Sequence, residues 1–484
     1  WMLFMSEFWE RFAFYGIRWA MVLYIVAQFH GGDASGEKPA SELYGAYLAL
    51  VYAGAIFGGY VADKLIGYQR SILLGAVVMS AGLFLLASPT ESMFKLGLAT
   101  IIVGNGLFKP IISTMVGKLY AQGDERRDSG FTIFYMGINL GALLAPLVTQ
   151  YLAKKIFGIE DMPAYKIVFI SAGIGMLLSL VWFWLGRGQL KGIGLPAPHQ
   201  AGLRNVSLVL LFGVLVGIPL FYALLTIDAG LLQGILMALF VIPAIMLLRE
   251  GVVEGQVSRD KVMAMLTIFV FNVLFWMFFE QAGSSFNFLA DKIVNRDIGM
   301  VGLFQALAGT NDFPVSWFQS VNSVAIIALA PVLAWLWVKM GKNNPIIPRK
   351  FGLGLIFNGL AFLLLMVALS SMVDDAGKIP FWTLFMVYVI QSVGELCLSP
   401  IGLSMTTKLA PARLAGLAMG CWFLSIAIGN NLAGIFAGKV SGEGGMTVAS
   451  AHAGYTFGFY ALVGSGVVLF LIAPLIQKWM HGVK

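Results

Sequence analysis

Hydrophobic positions along this chain come in long uninterrupted runs separated by short polar breaks. Runs of about 20 to 30 residues suit tilted membrane-crossing helices, whereas the strands of a membrane barrel alternate over about ten residues. The pattern predicts helices near 1–30, 42–66, 69–88, 92–119, 127–156 and 163–187. A stretch rich in Gly, Pro and basic residues, Gly186 to Asn205, then breaks the periodicity as a linker. Two plainer runs follow at 206–226 and 229–249, joined at the polar point Asp228. After a charged loop, six more runs lie near 262–290, 313–340, 346–372, 379–409, 411–439 and 452–480. The layout is fourteen spans as six, two and six: a bundle over 1–187, a cytoplasmic linker at 188–205, an extra pair at 206–249, a cytoplasmic loop at 250–261 and a second bundle over 262–484.

Composition agrees. Of 484 residues, 59% are hydrophobic and only 11% charged, against about 25% charged in an ordinary soluble domain. The chain is read as an all-α, multi-pass membrane protein. Its first run carries Glu and Arg in the middle, which makes a poor signal-peptide core, and it starts at Trp1, as though a short leading tail preceded it. Cys397 and Cys421 lie in apolar segments, so buried free thiols are expected rather than a disulfide framework. Nineteen of the thirty-one Lys and Arg fall in alternate loops and the tail that an inside N-terminus would place inside, so both termini are expected to be cytoplasmic. The net charge of +7 then reflects orientation and contact with anionic lipid. Basic residues are not interleaved with aromatics in the way nucleic-acid binding uses, and no nucleic-acid partner is expected.

Charge inside the spans changes the picture most. At roughly 100° per residue, Glu7, Arg11 and Arg18 fall within about 40° of one another, with Glu10 about 60° to the side. Lys109 sits mid-span in Gly104-Asn105-Gly106-Leu107-Phe108-Lys109-Pro110, Glu280 ends Phe275-Trp276-Met277-Phe278-Phe279-Glu280, and Glu395 sits in Gly394-Glu395-Leu396. A charge at bilayer depth costs several kcal/mol even on lenient scales, so such groups face a water-filled cavity or one another and usually mark a transport pathway. Static ion pairs joining helices are the alternative, but buried pairs rarely stabilise enough to be kept as struts.

Two six-helix halves and the inner-loop stretch Gly58-Gly59-Tyr60-Val61-Ala62-Asp63-Lys64-Leu65-Ile66-Gly67-Tyr68-Gln69-Arg70 resemble the major facilitator superfamily, in which substrate sits near the midplane between halves. Glu7-x-x-Glu10-Arg11-Phe12 with Tyr15-Gly16 is similar to a signature of the proton-dependent oligopeptide transporter family, a branch of that superfamily. Phe134-Tyr135-Met136-Gly137-Ile138-Asn139-Leu140-Gly141-Ala142 resembles a second signature, and Gly58 to Gly75 a third. The resemblance implies a major facilitator fold of twelve core helices plus two extra, and symport of di- and tripeptides with protons. It implies that Arg11 and Lys109 bind the peptide carboxylate and Glu395 the amine, a suitable chemistry for a zwitterion. Asn139 and Asn322 match the family's amide positions, and Tyr15, Tyr24, Tyr52, Trp276, Trp422 and Phe423 would form side-chain pockets. Glu7, Glu10 and Glu280 suit proton coupling, because burial and nearby cations act oppositely on a carboxylate. Glu10 with Arg11 and Lys109 would link protonation to carboxylate binding, and Arg18–Glu280 and Lys109–Glu395 would be gating pairs across the halves.

Two departures stand out. Animal members use a histidine in the second span, where this chain aligns Gly45, and its four histidines lie at span ends, in loops or in the tail. Histidine is therefore not expected to carry the proton. Phe14 stands where many relatives have Tyr, which removes a hydroxyl from the pocket. No nucleophile-and-base, phosphate-loop or metal-ligand motif occurs, so an enzyme, a pump or a metal site is not expected, and protons need no cofactor. A proton-coupled nitrate, drug or peptide-like carrier on the same scaffold is the nearest competitor; a passive channel is a different class. The expected setting is a bacterial cytoplasmic membrane, with the monomer as the functional unit and a peripheral role for the extra pair.

Overall fold

In lipid the backbone must satisfy its own hydrogen bonds, and the chain does so with helices. The computed structural model describes residues 1–120, 126–159, 163–200 and 202–483; Lys484, one of the nineteen cations expected on the inner side, lies outside them. Among the described residues, fourteen helices are long and apolar enough to cross a membrane. These are α1 (Met2–Phe29), α2 (Ala34–Ile66), α3 (Tyr68–Leu85), α4 (Glu91–Lys118), α5 (Gly130–Ile156), α6 (Tyr165–Leu190), α7 (Leu203–Thr226), α8 (Ala229–Glu254), α9 (Gln256–Phe279), α10 (Trp317–Asn343), α11 (Ile347–Ser371), α12 (Phe381–Leu409), α13 (Ala412–Ser441) and α14 (Val448–Trp479). The chain divides into two compact units, one of 1–32, 50–227 and 299–323, the other of 33–49, 228–298 and 324–484.

Three boundaries differ from the sequence reading. α2 begins at Ala34 instead of 42, where Glu37 is held by residues distant in sequence: its carboxylate pairs with Lys292 and accepts from Met446 N at 2.7 Å. The stretch 250–261, read as a loop, is helical on both sides of a single break at Gly255, whose φ of +119° favours glycine. The ninth run does not continue to 290: α9 ends at Phe279, Glu280 is its C-cap, and a separate short helix follows at Ser285–Lys292.

Within the first unit, small residues set the helix spacing. A Cβ on Gly82 would lie 2.7 Å from Gly97 O, and one on Gly97 2.8 Å from Gly82 O, so α3 and α4 meet backbone to backbone. α5 meets α1 the same way, since a Cβ on Gly141 would lie 2.6 Å from Phe8 O and 3.0 Å from Arg11 Cβ. Gly141→Val should therefore cost about 1–3 kcal/mol of overpacking and lower the thermal midpoint followed by tryptophan fluorescence. Gly464→Ala, where nothing lies within 4 Å, should not. The linker is docked rather than loose: Gln200 Nε2 donates to Asp63 O at 2.7 Å, Gln69 Nε2 to Ile193 O at 2.8 Å and Arg70 Nη1 to Gln200 O at 3.2 Å, while Tyr68 donates to the Asp63 carboxylate.

In the second unit, Gly354 and Gly394 repeat the device between α11 and α12, each virtual Cβ 2.9 or 2.8 Å from the other's carbonyl oxygen. Asp228 caps α8 through Gly230 N and Leu231 N at 2.9 and 3.1 Å. Only 6% of the most apolar stretch of α7 and 17% of that of α8 is buried, against 72% for α4, which fits helices bathed in lipid.

Candidate functional site

Glu7, Glu10 and Arg11 are 2%, 0% and 4% exposed, so three charges are buried side by side on α1. Arg11 Nη2 donates to Glu10 Oε1 at 2.6 Å and Arg11 Nε to Glu10 Oε2, a two-pronged pair between adjacent residues. Glu7 Oε1, one turn earlier, lies 3.3 Å from Arg11 Nε. The second Glu7 oxygen is buried with no hydrogen-bond partner among the described residues.

α4 completes this group. Asn105 Nδ2 reaches Glu10 Oε1 at 3.4 Å. Lys109, one turn along the same face, holds Nζ 4.5 Å from the Tyr52 ring and 5.8 Å from the Phe14 ring. Arg11 Cζ is 4.9 Å from that same Phe14 ring, so one aromatic lies under both cations. Arg18, farther along α1, is over Tyr15 at 5.6 Å. With all four ionised, Glu7, Glu10, Arg11 and Lys109 sum to zero (−2 + 2 = 0), a balanced set on two membrane spans in which the three α1 groups are buried and Lys109 is half-buried.

The remaining expected residues fall in different surroundings. Tyr24 is 2% exposed, gives its hydroxyl to Ser88 O at 3.0 Å and packs on Phe29, Phe94, Tyr165 and Phe169. It lies about 20 Å along α1 from Arg11 at 1.5 Å per residue, in the aromatic core instead of with the charges. Asn139 Nδ2 bonds back to Tyr135 O at 3.0 Å on the helix that packs beside Arg11. Asn322 belongs to the same unit, just past Ser320, whose hydroxyl donates to Leu143 O of α5 at 2.9 Å.

Glu280, Trp276, Glu395, Trp422 and Phe423 belong to the second unit. There Trp276 Nε1 donates to Asn272 Oδ1 at 3.1 Å, Asn272 Nδ2 to Ser425 Oγ at 2.8 Å, and Ser425 Oγ to Trp422 O at 2.6 Å. This polar chain ties α9 to α13 and holds the Trp276 indole. Trp422 also stacks edge-on to Phe269 at 5.6 Å. Half-buried Glu395 follows Gly394, and so lies about 100° round α12 from the close contact that Gly394 makes with α11. Arg18 and Lys109 are in one unit and Glu280 and Glu395 in the other.

Gly45 sits where α2 and α13 touch. A Cβ there would lie 2.6 Å from Gly434 Cα and 2.9 Å from Asn430 O, so no side chain fits without parting α2 from α13. Sequence reading overlooked Asn105, although an amide between two glycines, four residues from Lys109, was its signal. It also treated Phe14 as a lost hydroxyl when the ring is the floor under two cations.

The POT family profile matches residues 69–444. A protein named peptide transporter YePEPT from Yersinia enterocolitica is 32% identical over 512 residues, covering 100% of this chain and 95% of its own. A di-/tripeptide transporter of Lactococcus lactis subsp. cremoris is 32% identical, covering 100% and 96%. The chain belongs to the POT family. Among solved structures, the peptide transporter POT in complex with sulfate superposes with a TM-score of 0.83 at 34% identity, over 99% of this chain and 95% of that one. The fold of this POT family member is thus that of a multi-pass membrane transporter.

Proposed function

We propose that this chain is a proton-coupled symporter that takes up di- and tripeptides by alternating access across a bacterial cytoplasmic membrane. Both termini lie inside, one chain forms the transporting unit, and protons are the only coupling species. The observation that carries the reading is the charge-balanced group of buried Glu7, Glu10 and Arg11 with half-buried Lys109. A peptide carboxylate arriving at Arg11 and Lys109 adds one negative charge to a set that already sums to zero. One proton restores the balance, and the unpartnered Glu7 oxygen is a place to hold it. Substrate and proton therefore favour each other's binding. Glu395 takes the peptide amine, Asn139 and Asn322 the backbone, and Tyr15, Tyr52, Trp276, Trp422 and Phe423 shape the side-chain pockets.

The pairs Arg18–Glu280 and Lys109–Glu395 act as gates: protonating Glu280 releases Arg18 and shifts the population toward the outward-open state. Glu280→Gln should then lose accumulation driven by an inward proton gradient while still exchanging labelled for unlabelled peptide. Normal gradient-driven uptake by that variant defeats the gate.

A second reading has one supporting observation. A solved POT family transporter in complex with 5-aminolevulinic acid superposes with a TM-score of 0.79 at 28% identity, and that molecule also carries an amine and a carboxylate. Proteoliposome uptake of a labelled dipeptide, with and without an inward proton gradient and with di-, tri- and tetrapeptide competitors, separates the two. Competition by di- and tripeptides supports peptide symport; competition by no short peptide overturns it.

A further inference from the structure

The junction of α10 and α11, far along the chain from the charged group on α1, holds four cations: Lys339, Lys342, Arg349 and Lys350. No Asp or Glu occurs from Phe313 to Val373, and none of the four forms an ion pair among the described residues. Three are seated on aromatic rings: Lys339 Nζ lies 4.6 Å from Trp335, Lys350 Nζ 5.0 Å from Trp337 and Arg349 Cζ 5.0 Å from Phe470 of α14. The Arg349 Nε is buried and has no hydrogen-bond partner among the described residues. The side chain as a whole is half-buried, its other guanidinium nitrogens are not likewise buried, and none of them forms a hydrogen bond or ion pair among the described residues, so the outer edge of the guanidinium is left to an acceptor from outside the chain.

The surroundings define that acceptor. Arg349 is in the first turn of α11, whose N-cap residue Ile346 makes no side-chain cap, so free backbone N–H groups add to the positive end of the helix. Anionic oxygen is favoured there, and the Arg fork suits a phosphate ester. On the flanks, Val338 is 81% exposed and Leu471, one residue past Phe470, is 72% exposed. A soluble phosphate makes no use of such a rim, whereas acyl chains do. Tryptophan with Lys and Arg at a span end is also the composition of the headgroup layer.

We propose that the α10–α11 junction is a binding site for the phosphate ester of an anionic phospholipid, with Arg349 at its centre and Lys339, Lys342 and Lys350 around it. The site is independent of which solute the protein carries. Native mass spectrometry of the purified full chain, titrated with phosphatidylglycerol or phosphatidylcholine, tests it. Phosphatidylglycerol should bind preferentially, and Arg349→Gln with Lys350→Gln should weaken it by about fivefold per charge, roughly 25-fold together. Arg349→Lys should recover most of that loss, and Lys64→Gln with Arg187→Gln, cations of other loops, should leave affinity unchanged. Equal weakening by the remote pair overturns the site in favour of a diffuse field. Equal affinity for the two lipids overturns it outright. Full competition by soluble glycerol 3-phosphate assigns the site to free phosphate esters and overturns the lipid. Should the double variant not fold, the exposed pair Lys339→Gln and Lys342→Gln carries the same expectation.

Discussion

Arg11→Gln should abolish gradient-driven peptide uptake, by about 100-fold or more, and should be the most damaging single substitution on α1. Two losses combine. The peptide carboxylate loses its two-pronged donor, and the charge-assisted hydrogen bonds it made are worth about 1.5–3 kcal/mol each, so two of them correspond to a factor of about 100 or more. Glu10 and Glu7, meanwhile, lose the guanidinium that both face. Breaking a buried pair on one side costs about 3–5 kcal/mol, and the two carboxylates can relieve it only by taking up protons, which uncouples protonation from substrate. Arg11→Lys keeps the charge but not the fork, and should recover part of the binding and little of the coupling. Peptide affinity by calorimetry, read beside uptake, checks both terms. Wild-type uptake in Arg11→Gln would remove Arg11 from the carboxylate site altogether.

Spans were legible because lipid demands about twenty apolar residues and leaves the backbone no alternative to helix. Their ends were less so, for a physical reason visible at α2. Residues Ala34 to Ser41 look like a polar loop until Glu37 meets Lys292 and Met446, partners more than 250 positions away. Likewise the charges of 250–261 suggest a loop, yet one glycine is enough to separate two helices. The charged stripe on α1 could be read from spacing alone, since helical geometry places Glu7 and Arg11 together before any tertiary contact forms. Tyr24 shows the opposite limit. An aromatic at helical spacing looks the same in a pocket and in a core, and only the Ser88 carbonyl and the rings around it place this one in the core. Gly45 shows a constraint that only packing reveals: α13 occupies the space a side chain there would need.

Glu7→Gln should separate the two halves of transport more cleanly than any other change. The amide keeps the size of the side chain and can still face Arg11 through its oxygen, so the α1 backbone and its contacts with α5 are preserved. The charge sum of the buried group becomes +1, the value it has in the wild type after one proton is bound. A peptide carboxylate then restores neutrality without any proton being taken up. Peptide binding and exchange of labelled for unlabelled peptide should persist at near wild-type rates, with reduced dependence on pH. Uptake against a concentration gradient should fall to the level of passive equilibration, because the step that ties proton to substrate has been bypassed. Glu10→Gln should behave differently, since both Glu10 oxygens are engaged by Arg11 and one is also reached by Asn105; its loss should disturb Arg11 and weaken peptide binding as well. Proteoliposome measurements of exchange and of gradient-driven accumulation on the two variants distinguish these outcomes. Full concentrative uptake by Glu7→Gln would move the proton to another carboxylate, and Glu280 of the second unit would be the next to test.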